Sequence, residues 1–307
     1  MNGHKKKIAV ITRTKDRGLM LRRAMDSVMA QTCNDFVWVV VNDGGNRAEV
    51  EDILSDDTLA AIDLIKIHHE TSKGMEAASN AGIQACDSDF IVIHDDDDTW
   101  EPEFLSQCVE LLESPFGQNF VGVITETNKI EETIENREIK ILARSRWKPQ
   151  IGGYPVGCVQ ISDMAVENLF APIAFLYRRA LYKAIGGYDE GLPVLGDWDF
   201  NLKALINGDI AVLSEPLANY HHRPAIKHGT FGNSLQDGLN KHVIYDAVIR
   251  NRIIREASIS DGAKVMATLM ISGRHRLTSR HFHKAKKAMS LAKSYVRKFA
   301  YRFKIIS

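Results

Sequence analysis

The sequence predicts an α/β fold in which a mostly parallel central sheet is flanked by helices. Three observations lead there. Apolar runs of strand length alternate with segments of helical spacing through residues 1–125. Turn sequences such as Asn42-Asp43-Gly44-Gly45 separate them. Acidic residues gather where the apolar runs end, at the sheet edge where ligands of such folds bind.

Taken in order, residues 7–12 read as a short apolar strand, and 19–31 have helical spacing through Leu21, Ala24, Met25, Val28 and Met29. A second strand over 36–41 runs into the turn at Asn42. A helix over 48–54, a strand over 62–67 and a helix over 74–85 follow. The run Phe90-Ile91-Val92-Ile93 is a buried strand, a helix opens after Pro102, and another strand covers 121–125. Beyond Glu126 the pattern loosens. Residues 131–142 are charged and fit either strand or helix, and 147–157, rich in Pro and Gly, read as a substrate-facing loop or a connector. Helical spacing returns over 177–185 and 197–206, and 210–213 is strand-like.

With 307 residues, 45% hydrophobic and 25% charged, the chain has the composition of a globular protein large enough to need no staples. Its four cysteines are scattered without a C-x-x-C pair, so neither zinc nor a disulfide framework is indicated and a reducing cytoplasm is expected. The basic N-terminus precedes only a strand-length apolar run, and no run reaches about 18 apolar residues, so neither a signal peptide nor a membrane span is expected.

The richest segment is Asp95-Asp96-Asp97-Asp98, directly behind the 90–93 strand. Adjacent like charges repel and call for a compensating cation. A hard divalent metal with a phosphorylated ligand would meet that need, and the alternative is a solvated acidic turn.

Charge is also uneven along the chain. Lys+Arg and Asp+Glu balance at 39 each, yet residues 262–307 hold twelve of the basic side chains and no acid. Residues 274–304 read as one helix with an apolar stripe through Phe282, Ala285, Met289, Ala292, Val296, Phe299 and Phe303. A basic amphipathic helix of this kind fits an anionic membrane surface. It also fits docking on the acidic body or in the seam of a homo-oligomer. Nucleic acid is not expected, because stacking surfaces are missing.

Six motifs in order make the chain resemble a family 2 glycosyltransferase. They are Ile8-Ala9-Val10-Ile11-Thr12-Arg13-Thr14, the helix ending Ser27-Val28-Met29-Ala30-Gln31-Thr32, and Val39-Val40-Val41-Asn42-Asp43-Gly44-Gly45. Residues 74–82, with Ala77, Ala78, Asn80 and Ala81, resemble the G-x-x-A-A-R-N-x-G helix, and Asp95-Asp96-Asp97 occupies the D-x-D position. Gly186-Gly187-Tyr188-Asp189-Glu190 with Gly196-Asp197-Trp198-Asp199 resembles the G-G-F-D-E and E-D-x-D pair. Three positions depart from the pattern: Arg13 replaces the usual Pro, Ser79 the usual Arg, and Gly196 the usual Glu.

The resemblance implies the GT-A (Rossmann-like) fold, an inverting mechanism and a nucleotide-sugar donor, UDP-linked by default. It implies residues 1–125 as the nucleotide-sugar-binding half, 126–230 as the acceptor-binding half of the same domain, and 231–307 as a helical basic extension. Thr12, Arg13, Thr14, Asp43, Asp95 and Asp96 would contact the nucleotide. Asp97, and with it His222, would hold Mn²⁺ or Mg²⁺, and Asp197 would be the general base. The acceptor would be a saccharide or a lipid-linked hydroxyl, as in cell-surface polysaccharide or glycolipid assembly, with the protein cytoplasmic or peripheral at the cytoplasmic membrane face. Two rivals are weighed beside it: a haloacid-dehalogenase-type phosphatase with Asp95 as nucleophile, and a non-catalytic nucleotide-sugar-binding or membrane scaffold.

Overall fold

The computed structural model describes residues 5–136, 138–148, 156–224 and 239–256. Strands β1 (Lys6–Thr14), β2 (Phe36–Asp43), β3 (Asp63–His69) and β4 (Ser88–Asp95) lie side by side in the order β3-β2-β1-β4, all parallel. Helices α1 (Gly18–Met29), α2 (Arg47–Ile53) and α3 (Met75–Gln84) are the crossovers between them. Every residue of β2 is buried, which is why its Phe-Val-Trp-Val-Val-Val run is continuous rather than alternating.

The register builds one corner of the edge directly. Arg13 pairs with Val41 on one side and with Asp95 on the other, so the first turn and the first aspartate are neighbours across the ladder.

The small residues of the 74–82 motif have a packing reason. A Cβ on Gly82 would stand 2.5 Å from Ile11 Cγ2 and 3.1 Å from Val41 Cγ2, so α3 lies on β1 and β2 at a distance only glycine permits. Ala77 and Ala78 of the same helix are buried.

The second half of the sheet is mixed. Past the short β5 (Thr99–Trp100) and α4 (Phe104–Glu113) come the 16-residue β6 (Phe120–Glu135) and its hairpin partner β7 (Glu138–Trp147). Within the charged stretch 131–142, residues 131–135 and 138–142 are therefore strand, because pairing across the hairpin supplies the ladder that their composition leaves undecided. After β8 (Val156–Cys158) and the single turn α5 (Ile161–Met164), β9 (Phe175–Arg178) runs antiparallel between β4 and β6. Residues 177 and 178, expected in a helix, belong to this strand, and α6 (Arg179–Ile185) begins just after them. The 12-residue α7 (Gly196–Asn207) leads into β10 (Asp209–His222), parallel to β6 and bordered by β5 and β8. The sheet is thus parallel where it binds α1–α3 and antiparallel where β9 stitches the halves together.

One compact unit runs Met1–Ile249, and a final helix α8 (Leu239–Glu256) closes the described chain. The basic helix expected over 274–304 and residues 149–155 of the expected loop lie outside the described residues. Among the described residues no helix is long and apolar enough to cross a membrane.

Gly82→Val forces β-branched bulk into the α3–sheet contact. It is expected to cost about 1–3 kcal/mol by overpacking, read as a lower urea midpoint at unchanged m-value.

Candidate active site

At the carboxyl edge of β1, β2 and β4 a cavity of about 410 Å³ opens. Asp43 and all of Asp95, Asp96, Asp97 and Asp98 line it, together with Arg13, Thr14, Arg17 and Tyr220. Of the residues singled out from sequence, Thr12, Asp197 and His222 are not among its walls. Thr12 is fully buried, and its hydroxyl accepts the indole N–H of Trp38 at 2.8 Å. It supports the strand end from within.

Asp43 is saturated with donors. Oδ1 takes His69 Nδ1 at 2.7 Å and the Lys73 N–H at 2.8 Å, and Oδ2 takes Ser72 Oγ at 2.6 Å and the Gly74 N–H at 3.0 Å. Burial pushes its carboxyl up, but these four bonds outweigh burial and hold it below the ordinary carboxylate range. The tight turn itself is capped by Asn42, whose amide bridges both backbone groups of Gly45. That leaves Asp43 free to anchor the 72–74 loop at the mouth of the cavity.

The aspartate run is met by guanidinium groups from distant elements. Arg13 clasps Asp95 Oδ1, its Nε at 3.0 Å, and reaches back to Ser79 Oγ at 3.2 Å and Met75 O at 3.4 Å. Arg17 lies 3.2 Å from Asp96 Oδ1 and 3.3 Å from Asp97 Oδ2. Arg223, fully buried, donates to that same Asp97 oxygen. Behind it Glu132, also fully buried, accepts from Arg23 at 2.6 Å, His221 Nδ1 at 2.7 Å and Arg223 at 2.7 Å.

These partners make the four aspartates unequal. Burial would raise Asp97, but Arg17 and Arg223 pull it below the ordinary value, so it stays ionised. Asp96 is pushed up by burial and by Asp97 despite Arg17. Asp98 rises well above the ordinary value for the same reason, burial first and then its charged neighbours. Its Oδ1 accepts the His221 N–H at 2.8 Å, which pins the acidic loop to β10, and its Oδ2 is buried without a hydrogen-bond partner. Asp98 is an interior residue.

Asp197 sits in the first turn of α7, with Oδ1 accepting the Trp198 N–H at 2.8 Å and Oδ2 the Asn168 amide at 2.7 Å. Asn201, one turn further along α7, donates to Asn168 Oδ1 at 3.0 Å and completes a relay that fixes the carboxylate. Burial raises its basicity, Asp95 adds to this, and Arg13 opposes it.

A divalent cation can be tested against these groups. Oxygen donors suit Mg²⁺ or Mn²⁺, and His222 Nε2 is buried without a partner while burial keeps its ring neutral. Among the described residues, however, no three His, Cys, Asp or Glu side chains gather to hold an ion. The site fits a cation that brings most of its ligands with a bound phosphate and takes one or two from the protein.

Sequence reading did not single out Arg17, Arg23, Arg223, Glu132 or Asn168. Their partners lie 74 to 126 positions away for the arginines and 29 for Asn168, so no local spacing marks them. The one usable signal was Arg223 standing next to the chosen His222.

This fold, with an acidic cavity at the carboxyl edge of its parallel strands, is that of the GT-A glycosyltransferases. The chain matches the glycosyl transferase family 2 description over residues 9–170, and it belongs to that family. It is 28% identical to the uncharacterized glycosyltransferase YwdF of Bacillus subtilis (strain 168) over 205 residues, covering 64% of this chain and 68% of that one. It is 24% identical over 225 residues to a PGL/p-HBAD biosynthesis glycosyltransferase of Mycobacterium tuberculosis, covering 73% and 77%. Among solved structures it resembles S. aureus TarS 1–349 in complex with UDP-GlcNAc, at TM-score 0.62 and 18% identity over 86% of this chain and 71% of that one. It also resembles the mannosyltransferase PcManGT of Pyrobaculum calidifontis in complex with GDP-Man and Mn²⁺, at TM-score 0.53 and 14% identity over 89% and 88%.

Glu132 is held near pKa 2 against an ordinary 4.5: burial pushes it up, and the bonds from His221 and Arg23 more than reverse this. A depressed carboxyl stabilises the fold above pH 4.5, and that contribution is lost as the pH falls towards 2. Glu132→Gln, which takes the carboxylate away from the buried Arg223 and the half-buried Arg23, is expected to cost about 3–5 kcal/mol at pH 7. Urea unfolding should show the gap to wild type closing as the pH is lowered through that range.

Proposed function

We propose that the chain is an inverting glycosyltransferase that moves a sugar from a UDP-linked donor to an acceptor hydroxyl on a saccharide or lipid-linked substrate. The observation that carries this is the cavity itself. It combines an anchored loop at Asp43, an ionised Asp97, and the guanidinium groups of Arg13 and Arg17 at one sheet edge. The complexes of TarS with UDP-GlcNAc and of PcManGT with GDP-Man and Mn²⁺ support a nucleotide-sugar donor.

In this reading the nucleoside lies along Thr14 and Asp43, and the diphosphate faces Arg13 and Arg17. Asp95 and Asp96 serve the donor indirectly, by orienting those two guanidinium groups. When bound, a divalent cation, Mn²⁺ or Mg²⁺, supplies charge neutralisation to the leaving diphosphate, with Asp97 and His222 as the residues that would hold it. Asp197 takes the proton from the acceptor hydroxyl. Its Asn168–Asn201 relay leaves the carboxylate one orientation, and burial gives it more basicity than a free aspartate has. A single displacement opposite the leaving group turns an α-linked donor into a β-linked product.

The phosphatase rival needs Asp95 free to attack phosphorus, whereas Arg13 clasps that carboxylate and family membership speaks for transfer. The basic tail would bring the enzyme to a membrane carrying the acceptor.

A thermal-shift screen of nucleotide sugars with and without Mn²⁺ is expected to show stabilisation by one UDP-sugar. Asp97→Ala should abolish the Mn²⁺-dependent part, and a screen in which no nucleotide sugar stabilises the chain would refute the assignment. Asp197→Asn is expected to lower kcat at least about 100-fold with donor binding intact. Full activity in that variant would remove Asp197 as the base.

A further inference from the structure

Two of the three departures from the family pattern are filled in space by side chains from elsewhere. Ser79 stands where the pattern has arginine, and its hydroxyl accepts a hydrogen bond from Arg13 at 3.2 Å, so a guanidinium reaches that place from β1. Gly196 stands where the pattern has glutamate. A Cβ built on Gly196 would meet Glu76 Oε1 at 2.1 Å and Glu76 Cδ and Cγ at 2.5 Å, and these three are its nearest atoms. Gly196 is not among the glycines with positive φ, so its backbone does not demand glycine. A side chain there would have to displace the carboxylate of Glu76.

Glu76 meets the helix dipole and bonds its own backbone N–H, and neither of these requires it to be buried. It lies in the first turn of α3 with 6% of its surface exposed, although an acid at that position is normally solvated. Its charged neighbours come from three elements: Arg13 on β1, Asp95 on β4 and Asp197 on α7. It therefore stands between the clasp on the donor side and the base on the acceptor side.

We infer that Glu76 is a positioning residue of the transfer site, supplying from α3 the carboxylate that residue 196 lacks and acting through Arg13 and Asp197. Its charge holds the Arg13 guanidinium between two carboxylates, and its bulk fixes the start of α7, from which Asp197 projects. Burial raises its carboxyl to about 7, with Asp197 and Asp95 adding to the rise and Arg13 opposing it. The negative field at Asp197 thus strengthens as the pH passes through neutrality, and the base gains strength with it.

The inference rests on the transferase reading, and the experiment separates the two. In the full chain with a UDP-sugar that stabilises it, Glu76→Gln is expected to lower kcat about 10- to 100-fold with donor KM little changed. It should also remove an inflection near pH 7 from the wild-type pH–rate profile. Glu76→Ala combined with Gly196→Glu, which moves the carboxylate back to position 196, is expected to recover activity at least about tenfold over Glu76→Ala alone. Gly196→Ala should lower the Tm, and adding Glu76→Ala should restore it. Wild-type kcat and pH profile in Glu76→Gln, or no rescue by the double variant when both fold with the same Tm, would overturn the inference while leaving the transferase standing. A wild-type chain that neither binds nor turns over any nucleotide sugar would overturn the transferase reading, and the role of Glu76 would fall with it.

Discussion

The site depends on one electrostatic constraint: four consecutive carboxylates at a strand end have to be kept from repelling one another in a poorly solvated corner. The structure meets it with guanidinium groups from distant elements. Arg13 takes Asp95, Arg17 bridges Asp96 and Asp97, and Arg223 takes Asp97 from behind. Arginine suits this role because its planar fork serves two acceptors and it stays charged when buried. Burial also makes Asp98 and Asp96 reluctant to ionise beside a charged Asp97.

Glu132 makes that arrangement rigid. It ties Arg23 from α1, and His221 and Arg223 from the end of β10, to one buried carboxylate on β6. The acidic loop is fastened to the same strand by the bond from the His221 backbone to Asp98. The carboxyl edge of β1 and β4 is therefore braced by β6 and β10 of the mixed half of the sheet. Asp197 is held by the same logic on a smaller scale, through Asn168 and Asn201.

How far the chain could be read from sequence follows how local each signal is. Strands β1 to β4 and helices α1 to α3 were legible because strand-length apolar runs alternate with segments of helical spacing and their turns carry Gly and Asn. The hairpin of β6 and β7 was not, because its charged residues have no preference until the partner strand is beside them. The aspartate run and Asp43 were visible as acids at strand ends. That Asp43 spends three bonds on the 72–74 loop and a fourth on His69 at the end of β3 was not visible, nor that Thr12 turns into the core against Trp38. Arg13, Ser79 and Gly196 were seen as departures. The contacts of Arg13 with Ser79 and of Glu76 with Gly196 show that two of them are rearrangements of charge in space.

By itself the sequence determined the fold class, the family and the edge of the sheet at which the candidate site opens, because apolar runs, helical spacing and strand-end acids are short-range properties of a chain. Tertiary structure alone decided which aspartate stays charged, which arginines answer it, and which carboxylate stands beside Asp197. Those depend on burial and on contacts between residues far apart in the chain, and no spacing within the sequence encodes either.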